Sequence, residues 1–146
     1  MIDWKLEVVT NRPELWKDGD PVRPDLGVSY KTYPGREVFG LLNESGSYDA
    51  FCCVAKTLAV PSDVMGLSGL TAEDGTIWVP YTVWSLKRGA GRTIIKKILE
   101  LARSTGQVSR IVTLSPNNDM ARKFHLRNGA KEIATYVVTA NFEYAV

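Results

Sequence analysis

The sequence predicts a mixed α/β domain in which strands come first, a strand–helix–strand–helix unit follows, and strands close the chain. Two observations support this fold class. Strand-type runs dominate up to residue 84, and from residue 92 the period of the apolar side chains changes from two to 3.6. The length of 146 residues is close to the ~150 residues of an average domain. We therefore expect residues 1–146 to form a single domain.

The first 35 residues combine one strand with a long loop. Residues 4–10 alternate apolar and polar side chains, which predicts an amphipathic strand. Residues 11–35 hold four of the seven prolines and three glycines, so at most a short helix near residues 13–17 fits there. Trp16 and other large apolar side chains give this loop something to bury, and we expect it to be ordered.

A hairpin and a further strand complete the first half. Residues 36–43 and 48–60 have strand composition and flank the turn-type sequence Asn43-Glu44-Ser45-Gly46. Residues 62–75 hold three glycines and show no lasting period, which predicts a loop with one helical turn at most. Residues 76–84 form an apolar, β-branched and aromatic run, typical of a strand.

The second half alternates helices with strands. In residues 92–104 the apolar side chains at 94, 95, 98, 99 and 102 share one helical face, and Gly106 is a plausible end of that helix. Residues 110–115 predict a strand. The polar residues after Pro116 supply capping side chains for a helix over 119–128, which Gly129 closes. The closing strands are predicted at residues 133–139 and 142–145.

The net charge of +2 is the sum of two unlike halves. Residues 1–85 hold seven Lys and Arg against twelve Asp and Glu, whereas residues 86–146 hold eleven against four. The basic half predicts contact with an anion such as a phosphate, a nucleotide or nucleic acid, and the acidic half suits a cationic partner. Two solvated faces of unequal charge would give the same counts.

Composition excludes several classes of protein. No stretch approaches the ~18 uncharged apolar residues of a membrane span, and the acidic start lacks the form of a secretory signal, so we expect a cytoplasmic protein. Cys52 and Cys53 are adjacent on a strand and point to opposite faces, so a disulfide between them would be strained. With one histidine and no Cys-x-x-Cys pair, we expect no metal site.

The segment 84–92, Trp84-Ser85-Leu86-Lys87-Arg88-Gly89-Ala90-Gly91-Arg92, connects a strand to a helix. Its two glycines let the backbone turn closely, and the free N–H groups of a helix start favour an anion. The segment is not a P-loop, because Leu86 stands where the first Gly belongs. It is not a dinucleotide fingerprint either, because Ile94 replaces the third Gly. An ordinary strand-to-helix turn with solvated basic side chains remains the alternative.

The same segment resembles the pyrophosphate loop of the GCN5-related N-acetyltransferase (GNAT) family, Gln/Arg-x-x-Gly-x-Gly/Ala between a strand and a helix. Leu86-Lys87-Arg88-Gly89-Ala90-Gly91 matches both small positions and departs at Leu86. A second family motif, Asn-x-x-Ala-x-x-x-Tyr-x-x-x-Gly-Phe, resembles residues 118–130. The matches are Asn118, Ala121 and Gly129, and the departures are His125 for Tyr and Ala130 for Phe. The resemblance covers residues 76–139.

The resemblance implies a mostly antiparallel central sheet, with two splayed parallel strands in the middle and helices on its flanks. It implies acetyl-CoA as co-substrate, held between strands at about 77–84 and 110–115, and transfer of acetyl to a primary amine by direct attack. The residues expected to bind acetyl-CoA are Tyr81, Thr82, Val83, Lys87, Arg88, Gly89, Ala90, Gly91, Arg92, Asn118 and His125.

Direct attack needs a base for the amine, a donor for the oxyanion and an acid for the departing thiolate. Backbone N–H groups of Tyr81–Val83 are the expected donors, and Pro80 indicates a bulge beside them. His125 occupies the position of the family's acidic Tyr, and Tyr81 is a second candidate acid. For both side chains, packing in the core is the favoured alternative, whereas Asn118 could equally be a helix N-cap only.

No acidic residue lies on the strand where the family often places its base. Acids on nearby loops are candidates, although the composition of these loops favours solvated turn residues: Glu44, Asp49, Glu73 and Asp74. Tyr136 is a further candidate acid, with aromatic packing as its alternative. A nucleophilic Cys52 or Cys53 is disfavoured, because only His125 could activate it.

Two other functions compete with acetyl transfer. A non-catalytic GNAT-fold CoA-binding or scaffold protein is favoured by Leu86, His125, Ala130 and the missing base. Nucleic-acid binding is disfavoured, because aromatic residues are not interleaved with the basic residues of 87–97. We expect loops 11–35 and 61–75 to form the acceptor side. The sequence does not identify the acceptor amine, which could belong to a small molecule or a protein, and it is compatible with a homodimer.

Overall fold

The computed structural model describes residues 2–146, which form an eight-stranded sheet with α-helices packed on it. The strands are β1 (Lys5–Val8), β2 (Arg36–Leu42), β3 (Tyr48–Thr57), β4 (Ile77–Ser85), β5 (Arg110–Val112), β6 (Ser115–Pro116), β7 (Lys131–Thr135) and β8 (Thr139–Tyr144). The helices are α1 (Val28–Lys31), α2 (Val64–Leu70), α3 (Ala90–Thr105) and α4 (Asp119–Arg127), and a 3-10 turn spans Pro13–Leu15.

The strands follow the order β1-β2-β3-β4-β5-β8-β6 across the sheet, and β7 also pairs with β8. Strand β4 runs parallel to β5, and the other neighbours are antiparallel. Parallel strands need a crossover connection, and α3 provides it between β4 and β5. The predicted mixed, mostly antiparallel sheet with flanking helices is confirmed.

The two parallel strands separate soon after they pair. Their ladder consists of Ile77 opposite Arg110 and Trp78 opposite Ile111. One further bond joins them, from the Leu114 N–H to the Pro80 carbonyl at 3.0 Å. Beyond this point β4 continues to Ser85 without a strand partner on its β5 side, so a wedge opens between the strands. The predicted splay is confirmed.

A β-bulge lies on β4 where the wedge begins. Cys53 of β3 pairs with Thr82, whereas the next residue, Val54, pairs with Pro80, so Tyr81 is the extra residue. Pro80 has no N–H to donate to a ladder, which favours an irregularity next to it. The bulge expected from Pro80 is confirmed.

The sheet buries a separate apolar core on each face. On one face, α3 packs the stripe that includes Ile94 and Ile98 against β-strand residues such as Cys52. On the other face, the second core includes Trp16 and Cys53, the residue that follows Cys52 in the chain. The helical stripe predicted for residues 92–104 is confirmed, although α3 begins two residues earlier.

Four local predictions need correction. Helix α1, at residues 28–31, lies in loop 11–35, where the sequence predicted at most a short helix near residues 13–17. Residues 62–75 form a seven-residue helix instead of one turn at most, because the Asp63 carboxylate accepts the Gly66 N–H at 2.6 Å as an N-cap and Leu67 is buried. The strand predicted at 110–115 is divided into β5 and β6. The strand predicted at 133–139 is also divided, since Tyr136 donates its N–H to the Thr139 carbonyl in a turn.

Within residues 2–146, no helix is both long enough and apolar enough to cross a membrane.

Candidate functional site

A cavity of ≈ 330 Å³ occupies the wedge between β4 and β5. One wall is the unpaired end of β4, and the other is the segment from β6 into α4. The start of α3 and the loop before α1 close its sides. The lining residues are Pro21, Val22, Pro80, Tyr81, Thr82, Val83, Trp84, Ser85, Gly91, Ser115, Pro116, Asn118, Met120, Ala121, Phe124 and His125.

The structure brings six of the eleven predicted acetyl-CoA residues to the wall of this cavity. They are Tyr81, Thr82, Val83, Gly91, Asn118 and His125. The other five lie on the loop before α3 and on its first turn: Lys87, Arg88, Gly89, Ala90 and Arg92. The predicted set therefore forms one continuous surface, from the wedge to the start of α3. Loop 11–35, the predicted acceptor side, reaches the cavity through Pro21 and Val22.

The start of α3 presents unpaired backbone N–H groups. Gly89 adopts the left-handed conformation there, with φ of +85°. Within residues 2–146, no atom accepts a hydrogen bond from the N–H groups of Arg88, Gly89, Gly91 or Arg92. These groups and the helix dipole favour an anion. The side chains of Lys87, Arg88 and Arg92 are exposed and form no ion pair with a described residue.

Gly91 serves a different purpose from Gly89, since its backbone conformation does not require glycine. A Cβ atom at this position would lie 3.4 Å from the Phe124 ring and 3.6 Å from the Ser85 side chain. All three residues line the cavity. A larger side chain at position 91 would therefore fill the end of the cavity that meets the α3 N–H groups.

Asn118 is the N-cap of α4. Its side-chain Oδ1 accepts the Ala121 N–H at 2.8 Å, with extended backbone angles. Asn118 also lines the cavity. The capping interpretation is confirmed, and it leaves the side-chain amide N–H₂ without a described hydrogen-bond acceptor.

His125 is buried on the cavity wall. Only 4% of its surface is exposed, and its Nδ1 lies 2.7 Å from the hydroxyl of Tyr144. The Phe124 ring meets the imidazole edge-on, and the Phe142 ring stacks on it. Burial lowers the pKa of His125 to about 4, so the imidazole is neutral at pH 7. At this pH, His125 is not an imidazolium that could protonate the departing thiolate.

The side chain of Tyr81 points into the second core. Its ring lies 5.8 Å from that of Tyr30, and its buried hydroxyl has no hydrogen-bond partner among the described residues. Burial raises the pKa of this phenol far above its usual range. The structure therefore favours a backbone contribution from Tyr81 over the acid role that the sequence suggested.

Sequence reasoning missed a buried ion pair behind the bulge of β4. The Lys31 ammonium lies 2.8 Å from the Asp20 carboxylate, and both side chains are 2% exposed. The hydroxyl of Thr82 donates to the same carboxylate at 3.0 Å. These contacts tie loop 11–35 to the cavity wall. Asp20 and Thr82 are 62 residues apart, and no local pattern signals their contact.

Arg23, also missed, bridges the two strands at the point where they separate. Its Nε donates to the Tyr81 carbonyl at 3.2 Å, and its Nη2 donates to the Leu114 carbonyl at 2.9 Å. The last hydrogen bond between the two separating strands runs from Leu114 to Pro80. The guanidinium takes the place that the next bond between these strands would occupy. It satisfies buried carbonyls that the splay leaves without strand partners.

No carboxylate of residues 2–146 lines the cavity. Asp49 instead accepts the indole N–H of Trp4 at 2.8 Å and the amide of Asn43 at 3.1 Å. The remaining candidates are exposed and lie outside the cavity lining: Glu44, Glu73, Asp74 and Tyr136. Burial raises the pKa of Cys52 and of Cys53, and neither thiol reaches the cavity. In the described part of the chain, no three His, Cys, Asp or Glu side chains group as metal ligands do.

Solved structures resemble this architecture over nearly the whole chain. The GphF GNAT-like decarboxylase, in complex with isobutyryl-CoA, matches with a TM-score of 0.72 at 13% identity and covers 97% of this chain and 98% of its own. AAC(6')-Ib, in complex with ribostamycin and coenzyme A, matches with a TM-score of 0.67 at 14% identity, over 97% of this chain and 92% of its own.

A third structure, malonyl-CoA decarboxylase from Agrobacterium vitis, matches 82% of this chain at 22% identity with a TM-score of 0.60. The chain spans 35% of the length of that protein. No family model matches the sequence, and no curated protein matches it.

The sheet order, the bulged and splayed strands and the glycine turn into α3 define a GNAT-like fold. The solved structures establish this fold for the chain, as the sequence motifs predicted.

Proposed function

We propose that this chain binds acetyl-CoA in the wedge between β4 and β5 and transfers its acetyl group to a primary amine. The observation that supports this most is the continuity of two features: the unpaired N–H groups at the start of α3 and the cavity beside the bulge. A pyrophosphate fits the first feature, because backbone donors, the helix dipole and nearby basic side chains all favour it. The pantetheine arm and the thioester fit the second.

The chemistry of transfer falls to few groups. The amine nitrogen attacks the thioester carbon, and the carbonyl oxygen becomes an oxyanion. The C–S bond then breaks as the carbonyl re-forms, CoA leaves as the thiolate, and the nitrogen loses its extra proton, which water carries to the thiolate. Backbone N–H groups at Tyr81–Val83 are the proposed oxyanion donors. Because no carboxylate of the described residues lines the cavity, the ammonium proton passes to water before attack. We infer a cationic acceptor from the acidic excess on the surface of loop 11–35, which exposes Glu14, Asp18 and Asp25 against Arg12 and Lys17.

Acetyl-CoA is expected to raise the melting temperature, because a ligand of the native state stabilises it by an amount set by its concentration relative to Kd. Differential scanning fluorimetry with acetyl-CoA and free CoA up to millimolar concentrations measures this shift. Free adenosine, which lacks the phosphates, is the matched control and should give no shift. No response to millimolar acetyl-CoA would contradict the proposal.

A second candidate function is decarboxylation of a malonyl-type thioester. It is favoured by one observation: none of residues 2–146 places a carboxylate on the cavity wall. Loss of CO₂ from the acyl group requires no base: the C–C bond breaks, its electrons form an enolate at the thioester oxygen, and a proton is then taken up at carbon. Hydrogen-bond donors that suit a transfer oxyanion would suit this enolate equally.

Turnover assays separate these candidates. With acetyl-CoA and a panel of polyamines, aminoglycosides, amino acids and peptides, acetyl transfer is expected to release free CoA at a rate that depends on the amine. With malonyl-CoA alone, decarboxylation would release CO₂ and leave acetyl-CoA. Binding without either product would favour the non-catalytic, CoA-binding alternative.

A further inference from the structure

His125 and Tyr144 form a buried pair directly behind the cavity. His125 lies on α4, Tyr144 lies near the end of β8, and the imidazole Nδ1 is 2.7 Å from the phenol oxygen. Only 4% of the histidine and 2% of the tyrosine are exposed. Tyr144 lies outside both sequence motifs.

The direction of this hydrogen bond follows from the surroundings of the phenol. Among residues 2–146, the Tyr144 hydroxyl has no hydrogen-bond partner other than His125. If Nδ1 carried the hydrogen and donated it, the buried phenol O–H would remain without an acceptor, at a cost of about 1–3 kcal/mol. If the phenol donates, both atoms are satisfied. The hydroxyl of Tyr144 therefore donates to Nδ1.

A neutral imidazole carries one N–H, so Nε2 must carry it when Nδ1 accepts. Nε2 has no described hydrogen-bond partner, and it is not among the buried polar atoms that lack one. The ring cannot easily turn, since Phe142 stacks on its face and Phe124 meets it edge-on. Because His125 lines the cavity, Nε2–H is a donor of fixed direction on the cavity wall.

We propose that Tyr144 is a positioning residue that holds His125 as the Nε2–H tautomer, so that His125 presents a neutral hydrogen-bond donor to the acyl thioester. This inference rests on the proposed function for the identity of the ligand. The N–H group would bind the thioester carbonyl oxygen or the departing sulfur and keep its proton. If His125 gave this proton away, its ring would become an imidazolate. If the Tyr144 proton then moved to the ring, the buried phenol would become a tyrosinate. His125 is therefore a hydrogen-bond donor and not an acid.

The chain contains one histidine, so its imidazole NMR signals belong to His125. Long-range ¹H–¹⁵N correlation spectra of the ¹⁵N-labelled protein at pH 7 are expected to show the Nε2–H tautomer as the dominant form. In Tyr144→Phe, which keeps the ring and removes the donor, the Nδ1–H tautomer is expected to become populated. Circular dichroism checks that this variant is folded. A dominant Nδ1–H form in the unmutated protein, or an unchanged tautomer in folded Tyr144→Phe, would overturn the assignment.

Titration with acetyl-CoA tests the ligand contact separately. We expect the Nε2 signal of the unmutated protein to shift on binding. In the turnover assay, we expect Tyr144→Phe to lower kcat on the order of tenfold while KM changes little. If acetyl-CoA raises the melting temperature but leaves the Nε2 signal unmoved, the contact is refuted. If the melting temperature does not respond either, the proposed function fails, and the tautomer result stands on its own.

Discussion

Replacing Gly89 with valine is expected to weaken acetyl-CoA binding at least about 100-fold. Gly89 has φ of +85°, where a residue with a side chain costs about 1–2 kcal/mol and a β-branched residue costs more. The turn must rearrange, which displaces the unpaired N–H groups of Arg88 and Gly91. Two lost hydrogen bonds to a charged group, at about 1.5–3 kcal/mol each, account for the factor of 100. Isothermal titration calorimetry with acetyl-CoA measures the change.

Gly106 provides a matched control for Gly89. It ends the same helix, has φ of +67°, and a Cβ atom there would meet nothing within 4 Å. Gly106→Val should therefore impose comparable backbone strain far from the cavity, lower the melting temperature, and leave acetyl-CoA affinity within about twofold of the original. If Gly89→Val folds and binds acetyl-CoA as tightly as Gly106→Val does, the pyrophosphate assignment is wrong.

The free energy of unfolding is expected to fall by about 3 kcal/mol between pH 6.5 and pH 4 because of His125 alone. Burial lowers the pKa of His125 from 6.5 to about 4 in the folded protein. Below pH 6.5 the unfolded chain takes up a proton that the folded chain refuses, so acidification favours unfolding until the folded ring is protonated as well. Urea denaturation at intervals of half a pH unit measures the slope.

His125→Asn is the variant that isolates this effect. Its side-chain oxygen can still accept from Tyr144, and it does not titrate. We expect it to be less stable at pH 7, because ring packing is lost, and to show a nearly flat stability between pH 6.5 and 5. Hydrogen bonds from Arg122 and Arg110 lower the pKa values of Glu132 and Glu143. The stability that these bonds provide is lost only below about pH 4.5, where the carboxylates become protonated. An unchanged slope in His125→Asn would show that another group titrates.

Local sequence signals predicted most of the secondary structure. The change of period at residue 92 located α3, and the glycines at 106 and 129 marked helix ends, since both adopt positive φ. Pro80 correctly indicated the bulge on β4. These predictions succeeded because each depends on a preference of a few neighbouring residues: periodicity, capping or the missing N–H of proline. Helix α2 was underestimated because two of its seven residues are glycines, which local propensity penalises.

The candidate site was predictable only in part. The two motifs brought together the start of α3, the α4 N-cap Asn118 and His125 of α4. Helix α3 follows β4, and the segment that leads into α4 continues from β5, the parallel neighbour of β4. The ion pair of Asp20 with Lys31 and the bridge made by Arg23 were not predictable. Buried charged residues in a proline-rich loop look like surface residues until the loop is folded onto the sheet.

The sequence by itself determined the class of fold, the position of the glycine turn and the division of charge between the two halves, because these depend on local pattern and composition. The tertiary structure alone decided which groups face the cavity. The Tyr81 side chain lies in the second core, and none of residues 2–146 places a carboxylate on the cavity wall. His125 contacts Tyr144, which is 19 residues away in the chain. The protonation state of His125 depends on that burial and on that partner, and neither property is written in any stretch of neighbouring residues.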